Sequence, residues 1–295
     1  MLPSARVVLA RRLRFLPDPL FAAVLHAIFQ GEISTLRHPR TWSQLLAAKN
    51  LQDPDEVVHT TTDKYAVRAY VADRIGDKYL IPLLQVVDRA DDLDFDALTR
   101  PCVIKGTHGC DMTLLIRDVQ SMQRWKVRAT VRKWLDTDFY EAGWRERPYR
   151  GLPRRAVVEE FIGDGVTAPT DYKFFMFHGR PAMVVVDQDR FTAHTSTMLS
   201  VDWKPFKITG RFAGAATLPE QPADYAEMLA VAQKLSSEFE FVRIDLYNVD
   251  GRIYFGEITH NPGGGMVRLQ PRDFDLALGD LWRNGTPVPA RFVDE

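Results

Sequence analysis

The sequence predicts an α+β fold in two lobes, with antiparallel hairpins packed against helices and a helical segment in front of them. Three observations predict it. Apolar runs at 241–247 and 253–259 flank the polar turn Asn248-Val249-Asp250-Gly251, which reads as a hairpin. Runs at 172–177 and 182–186 flank His178-Gly179-Arg180 and read as a second one. Around them, stretches such as 121–135 and the one opened by Asp224 and Glu227 place apolar residues at helical spacing. At 295 residues and 45% hydrophobic content, the chain can bury a full core in one large domain or two lobes.

Residues up to 51 read as helices broken at Pro17-Asp18-Pro19 and His38-Pro39-Arg40. Their first stretch, 2–25, is basic and partly apolar. Arg6, Arg11, Arg12 and Arg14 interrupt it, so it has neither the length of a membrane span nor the core of a signal peptide. It reads as a cap on the main body, with peripheral contact to a membrane or partner as the alternative. Thr62-Asp63 offers an N-cap to a helix carrying Val67, Tyr70, Val71 and Ile75. Runs at 79–87 and 102–105 are of strand type, the acid-rich 88–98 between them is a surface turn and helix, and 112–116 is another strand. A basic amphipathic helix at 121–135 precedes a strand at 156–162. Residues 188–222 read as a long irregular segment, and such loops in compact domains are usually functional or mobile. The helix opened by Asp224 and Glu227 presents Met228, Val231, Ala232 and Leu235 on one face. These elements divide into an N-terminal helical cap (1–60), a first lobe (61–162) and a C-terminal lobe (163–295).

Lys and Arg number 38 against 39 Asp and Glu, a net charge of −1, so no global field draws the chain to nucleic acid. Basic residues between 117 and 155 are interleaved with Trp125, Trp134, Trp144 and Tyr149, a mixture that reads as a solvated helix face or a surface for an acidic glycan. The only cysteines, Cys102 and Cys110, form no disulfide or zinc framework, which fits a cytoplasmic setting.

Asp245 and Glu257 sit inside otherwise apolar strands, where a carboxylate is costly to bury unless a positive group meets it. With Arg243 they suggest a Mg²⁺-nucleotide site on one hairpin; a solvated hairpin edge is the plainer alternative. Side chains alternate faces along a strand, so the turn decides. A three-residue loop, Val249-Asp250-Gly251 with Gly251 left-handed, pairs Asn248 with Arg252 and puts Arg243, Asp245 and Glu257 on one face. A two-residue loop would split the carboxylates between faces.

Two further segments carry chemistry. In Cys102-Val103-Ile104-Lys105-Gly106-Thr107-His108-Gly109, a lysine ends an apolar strand beside glycines that let backbone N–H groups approach phosphate, although no Walker sequence is present. In Val157-Val158-Glu159-Glu160-Phe161-Ile162-Gly163, a strand ends in acids and a glycine, which suits either an interlobe hinge reading adenine or an edge strand.

Taken in order, Asp63-Lys64, Ile104-Lys105-Gly106, Val158-Glu159-Glu160-Phe161-Ile162, Asp171-Tyr172-Lys173, Arg243-Ile244-Asp245 and Glu257-Ile258-Thr259-His260-Asn261-Pro262-Gly263 resemble the ATP-grasp superfamily. The succession is most similar to its TupA-like branch, named for teichuronopeptide biosynthesis, and covers most of the chain. The resemblance implies an ATP-grasp fold in which antiparallel sheets of two lobes sandwich ATP. It implies Lys64 and Lys105 as phosphate-contacting lysines, and a loop from Gly106 through His108 and Gly109 that closes over ATP. Glu159, Glu160, Phe161 and Ile162 take the hinge positions, with backbone groups of Glu160 and Ile162 facing adenine. Asp171 would contact the ribose, Lys173 the phosphates, and Phe255 the nucleotide. Asp245 and Glu257 fall on the Mg²⁺-ligand positions. Many superfamily members carry asparagine two residues after that glutamate; here Thr259 fills the place, and Asn261 lies two further on.

Arg243 would stabilise an acyl phosphate or a tetrahedral oxyanion, or else pair with Asp245. Arg190 would contact the transferred phosphate. His260 reads as a base or a structural histidine, and Gly263-Gly264-Gly265 as a cradle for a substrate carboxylate or a plain turn. The resemblance implies an ATP-dependent carboxylate–amine ligase working through an acyl phosphate. Its substrates would be a small-molecule or glycan carboxylate of the cell surface and an amine such as an amino acid. A kinase acting on a sugar hydroxyl would use the same residues. A nucleotide-binding module without catalysis would not need Lys64, Lys105, Asp245 and Glu257 together.

Overall fold

The computed structural model describes residues 5–34, 36–163, 168–188, 194–209, 214 and 217–294. Helices α1 (Ala5–Arg12), α2 (Asp18–Gln30) and α3 (Trp42–Lys49) open the chain, with the breaks between them at the proline-containing segments. A proline stands in the first turn of α2, and the left-handed Gly31 (φ 78) stops it. A capping box of Thr41 and Gln44 starts α3. Between α4 (Glu56–Thr62) and α5 (Val67–Ile75), Asp63 Oδ1 accepts from the amides of Tyr65 and Ala66 at 2.9 and 2.7 Å.

The first sheet contains β1 (Leu83–Val87), β2 (Cys102–Gly106), β3 (Thr113–Ile116) and β4 (Ala156–Glu160), antiparallel in the order β1-β4-β2-β3. Val127 and Val131 of α6 (Arg124–Asp136) pack on Cys102, Ile104, Ala156 and Val158. Residues 88–98 differ from the expected surface helix: they form one 3-10 turn, Ala90–Asp92, and bury Leu93, Phe95 and Leu98 in this cluster. Apolar burial outweighs their acidic composition. The short α7 (Phe139–Ala142) follows α6.

The second sheet runs β7-β6-β5-β8-β9, all antiparallel, from β5 (Asp171–Phe177), β6 (Arg180–Gln188), β7 (Thr195–Ser200), β8 (Phe241–Val249) and β9 (Arg252–Thr259). Strand β7 lies inside the stretch expected to be irregular. Its serines and threonines give no apolar alternation, and pairing with β6 makes it a strand. Every residue of β5 is buried because both sheet faces are covered. Phe174 and Met176 lie with residues of α5 and α8 (Tyr225–Ser236), whereas Phe175 and Phe177 lie with Trp42 of α3 and Phe274, Leu278 and Trp282 of α9 (Arg272–Asn284). Asp171 and Lys173 share the face of Phe175 by the two-residue period, so one face is apolar at one end of β5 and charged at the other.

Candidate functional site

Hairpin β8–β9 builds the charged face by an unexpected route. Its turn has two residues, Asp250 and Gly251, both left-handed (φ 51 and 77), and it pairs Val249 with Arg252. The three-residue loop expected from the sequence is therefore corrected: Asp-Gly satisfies a two-residue turn directly. With an unbroken register, Glu257 would then point away from Asp245. A bulge at Gly256 restores it, since Leu246 pairs with Phe255 but Asp245 pairs with Glu257. A Cβ on Gly256 would lie 2.9 Å from Asp245 O and 3.1 Å from the Tyr247 ring, so the bulge requires glycine.

Arg243, Asp245, Glu257 and Thr259 consequently converge. Arg243 Nε and Nη2 each donate to Asp245 at 2.6 Å, and Nη2 also reaches Glu257 Oε1 at 2.9 Å and Thr259 Oγ1 at 3.0 Å. The Thr259 hydroxyl donates to Glu257 Oε1 at 2.8 Å. On β5, Lys173 Nζ contacts Asp171 and stands 3.3 Å from Asp187 Oδ2 and 3.6 Å from Asp245 Oδ2. Asp187 was missed in the sequence. The available signal was an acid closing the apolar run of β6, which the register places opposite Asp171. Burial works against the charge on Lys173, but Asp171 and Asp245 raise its pKa and keep it protonated. Burial pushes the Asp245 carboxyl up, against the pull of Arg243 and Lys173. At Glu257, Lys64 and Arg243 outweigh burial and hold the carboxyl at about 2.

Across the cleft, Lys105 Nζ lies 2.7 Å from Glu159 Oε2, while Glu159 Oε1 takes Arg68 Nη1 at 3.0 Å. Lys64 Nζ donates to Gly109 O at 2.6 Å and its amide to Thr107 O at 3.1 Å, which ties the Gly106-to-Gly109 loop to this lysine. The Glu160 amide donates to Pro82 O at 3.0 Å and the Phe161 amide to Pro101 O at 3.1 Å, so of the hinge backbone groups expected to face adenine the Glu160 N–H is already engaged. Lys64, Lys105, Glu159, Phe161 and Ile162 line the cleft opposite Asp171, Asp187, Asp245, Phe255 and Glu257.

Other expected residues are placed elsewhere. His108 is buried with Nε2 3.0 Å from Trp134 O, so its ring belongs to the packing under α6 and not to the cleft; burial lowers its pKa. His260 is also buried, 2.8 Å from Thr61 Oγ1 and edge-on to Phe239, which makes it a structural histidine. Arg190 lies outside the described residues.

Among the described residues no three Cys, His, Asp or Glu side chains are placed to hold a metal ion by themselves. A divalent ion would rest on Asp245 and Glu257 and draw its other ligands from phosphate oxygens and water, the mixed shell that Mg²⁺ favours. The face fits such an ion. The carboxylates of Asp171, Asp187, Asp245 and Glu257 outnumber the cations Lys173 and Arg243 that pair with them, and Asp171 Oδ1 is buried without a hydrogen-bond partner. Thr259 fits poorly as a ligand because Arg243 and Glu257 already share its oxygen; it orients Glu257 instead. Asn261 is engaged with Asn50.

Residues 44–283 match the family described as TupA-like ATPgrasp. Among curated proteins none matches the chain. Similar solved structures include D-cycloserine synthetase DcsG, at 14% identity over 92% of this chain and 96% of that one, with a TM-score of 0.48. An L-amino acid ligase from Bacillus licheniformis is similar at 15% identity over 86% of this chain and 55% of that one (TM-score 0.44). The D-alanine–D-alanine ligase from Bacillus anthracis complexed with ATP is similar at 14% identity over 69% and 55% (TM-score 0.41). The chain spans just over half the length of these last two.

Proposed function

Because the chain belongs to the TupA-like ATP-grasp family, we propose that it is an ATP-dependent ligase joining a carboxylate to an amine. The carrying observation is the charged face made by Asp171, Lys173, Arg243, Asp245 and Glu257, which meets Lys64 and Lys105 around one cleft. ATP would lie there with adenine against Ile162 and Phe255, ribose beside Asp171, and phosphates between Lys64, Lys105 and Lys173. Mg²⁺ on Asp245 and Glu257 would neutralise phosphate oxygens. The substrate carboxylate attacks the γ-phosphorus and the bond to the β-phosphate oxygen breaks, giving ADP and an acyl phosphate. An amine then attacks the acyl carbon, loses a proton and expels phosphate. Arg243 is held in place before substrate arrives, and such preset charge is most effective where an oxyanion develops.

The acid would be a cell-surface polysaccharide or its carboxylated sugar precursor, and the amine an amino acid, a reading that rests on the resemblance to the branch named for teichuronopeptide biosynthesis. Among the described residues no helix is long and apolar enough to cross a membrane, and the reading places the enzyme in the cytoplasm, beside ATP. A screen of carboxylated sugars paired with amino acids, followed by nucleotide release and product mass, tests it. ADP and phosphate are expected only when acid and amine are both present, and Asp245→Asn should slow turnover about 100-fold or more. A phosphorylated sugar without amide would make the protein a kinase. Unchanged turnover in Asp245→Asn would remove the metal assignment.

A further inference from the structure

Glu146 is only 7% exposed, yet among the described residues its carboxylate accepts no hydrogen bond and meets no cation. Burial alone raises its pKa to about 8. A carboxylate buried to this degree is costly unless a positive group comes to it.

The surrounding chain fixes Glu146 firmly. Arg145, immediately before it, is left-handed (φ 56), and its guanidinium donates to Leu16 O at 2.7 Å and Asp18 Oδ1 at 3.1 Å. Asn50 holds both flanks, its Nδ2 donating to Arg145 O at 3.1 Å and its Oδ1 accepting from the Arg147 amide at 2.9 Å. The same Oδ1 accepts from Asn261 Nδ2 at 2.8 Å, which leaves Asn261 Oδ1 buried without a partner. Two unpartnered acceptors are thus tied to one asparagine. Beside them runs the glycine turn Pro262–Gly265, where a Cβ on Gly264 would stand 3.5 Å from Glu146 Oε1. On the other side, Tyr149 hydrogen-bonds Cys110 at 2.9 Å, next to the Gly109 carbonyl that Lys64 holds. The charges of Glu146, Lys64 and Glu257 all reach the Cys110 thiol, which puts Glu146 in the neighbourhood of the phosphate-side lysine.

We infer that Glu146 and Asn261 Oδ1 receive the ammonium group of the amine substrate, beside the turn Pro262–Gly265. The inference rests on the ligase reading above. Both unpartnered groups are acceptors, and a primary ammonium brings three donors and the missing positive charge. Transfer of one ammonium proton to Glu146 leaves the neutral amine, the form that attacks an acyl phosphate.

Glu146→Gln keeps the volume and removes the charge. With ATP and an acid–amine pair from the screen, the variant should raise the KM for the amine roughly 10- to 100-fold, with the KM for ATP unchanged and partial recovery in Glu146→Asp. An unaltered amine KM overturns the inference and leaves the ligase reading standing. Wild-type ADP release that needs no amine overturns the ligase reading, and a second measurement then decides the pocket without turnover or any variant. At about pH 6.5, below its raised pKa, the ¹³C resonance of the Glu146 carboxyl should move to its ionised position when the twenty amino acids are added as a mixture. A resonance that stays put overturns the pocket.

Discussion

Glu146 and Glu257 are both glutamates near the cleft, and their surroundings drive them in opposite directions. Lys64 and Arg243 outweigh burial at Glu257 and hold it at about 2, whereas nothing offsets burial at Glu146, which rises to about 8. The two then act oppositely on stability. The folded state keeps the Glu146 proton that the unfolded chain releases near 4.5, so this contribution is full below that pH and is lost as pH rises to about 8. Glu257, with its depressed value, stabilises the fold above about 4.5 and loses that effect as pH falls toward 2. Glu146→Gln carries no such proton. Its melting temperature should gain on the wild type between about pH 5 and about pH 8. A difference that does not change with pH would mean that the Glu146 carboxyl is not sealed from water.

At the scale of the element, the two-residue turn and the bulge in β8–β9 compensate each other, and the charged face exists only because both are present. Gly256→Ala puts a Cβ 2.9 Å from Asp245 O. It should cost about 1–3 kcal/mol in denaturant unfolding and weaken nucleotide binding, because relieving the clash shifts Glu257 relative to Asp245. Gly285→Ala, a left-handed position at the end of α9 with open space around it, should cost about 1 kcal/mol and leave nucleotide binding alone. Equal loss of binding in both variants would show that the bulge has no special part in the site. The Asp-Gly turn and the acids in apolar strands were legible in the sequence, and a lone glycine inside a strand was a bulge signal that the three-residue loop concealed. Strand β7 was not legible, since nothing local in Thr195 to Ser200 distinguishes a buried strand from a polar loop.

At the scale of the whole molecule, the second sheet is closed on one face by helices from both ends of the chain. Trp42 and Leu46 of α3 share a core with Phe274, Leu278 and Trp282 of α9, and Ser43 donates twice to Asp275, at 2.9 and 2.6 Å. Gly279 lets the backbones touch: a Cβ there would overlap Arg40 O. Gly279→Ala should therefore cost about 3 kcal/mol or more and expose the N-terminal helices to limited proteolysis. If these helices stay as resistant to proteolysis as in the wild type, their docking does not depend on this contact. The docking reaches the inferred amine site, because Asn50, just after α3, holds the segment that carries Glu146.

The sequence by itself determined the α+β class, most helices and strands, and the order of lysine, hinge and carboxylate segments, since these follow from side-chain periodicity and from the cost of placing charge in apolar strands. Only the tertiary structure decided which side chains meet. Register across β8–β9 brought Asp245 onto Glu257, pairing of β5 with β6 brought Asp187 to Lys173, and packing of α6 drew His108 away from the cleft. These outcomes depend on contacts between residues far apart in the chain. Local pattern fixes which way a side chain points along its own element, but the neighbouring element decides what it touches.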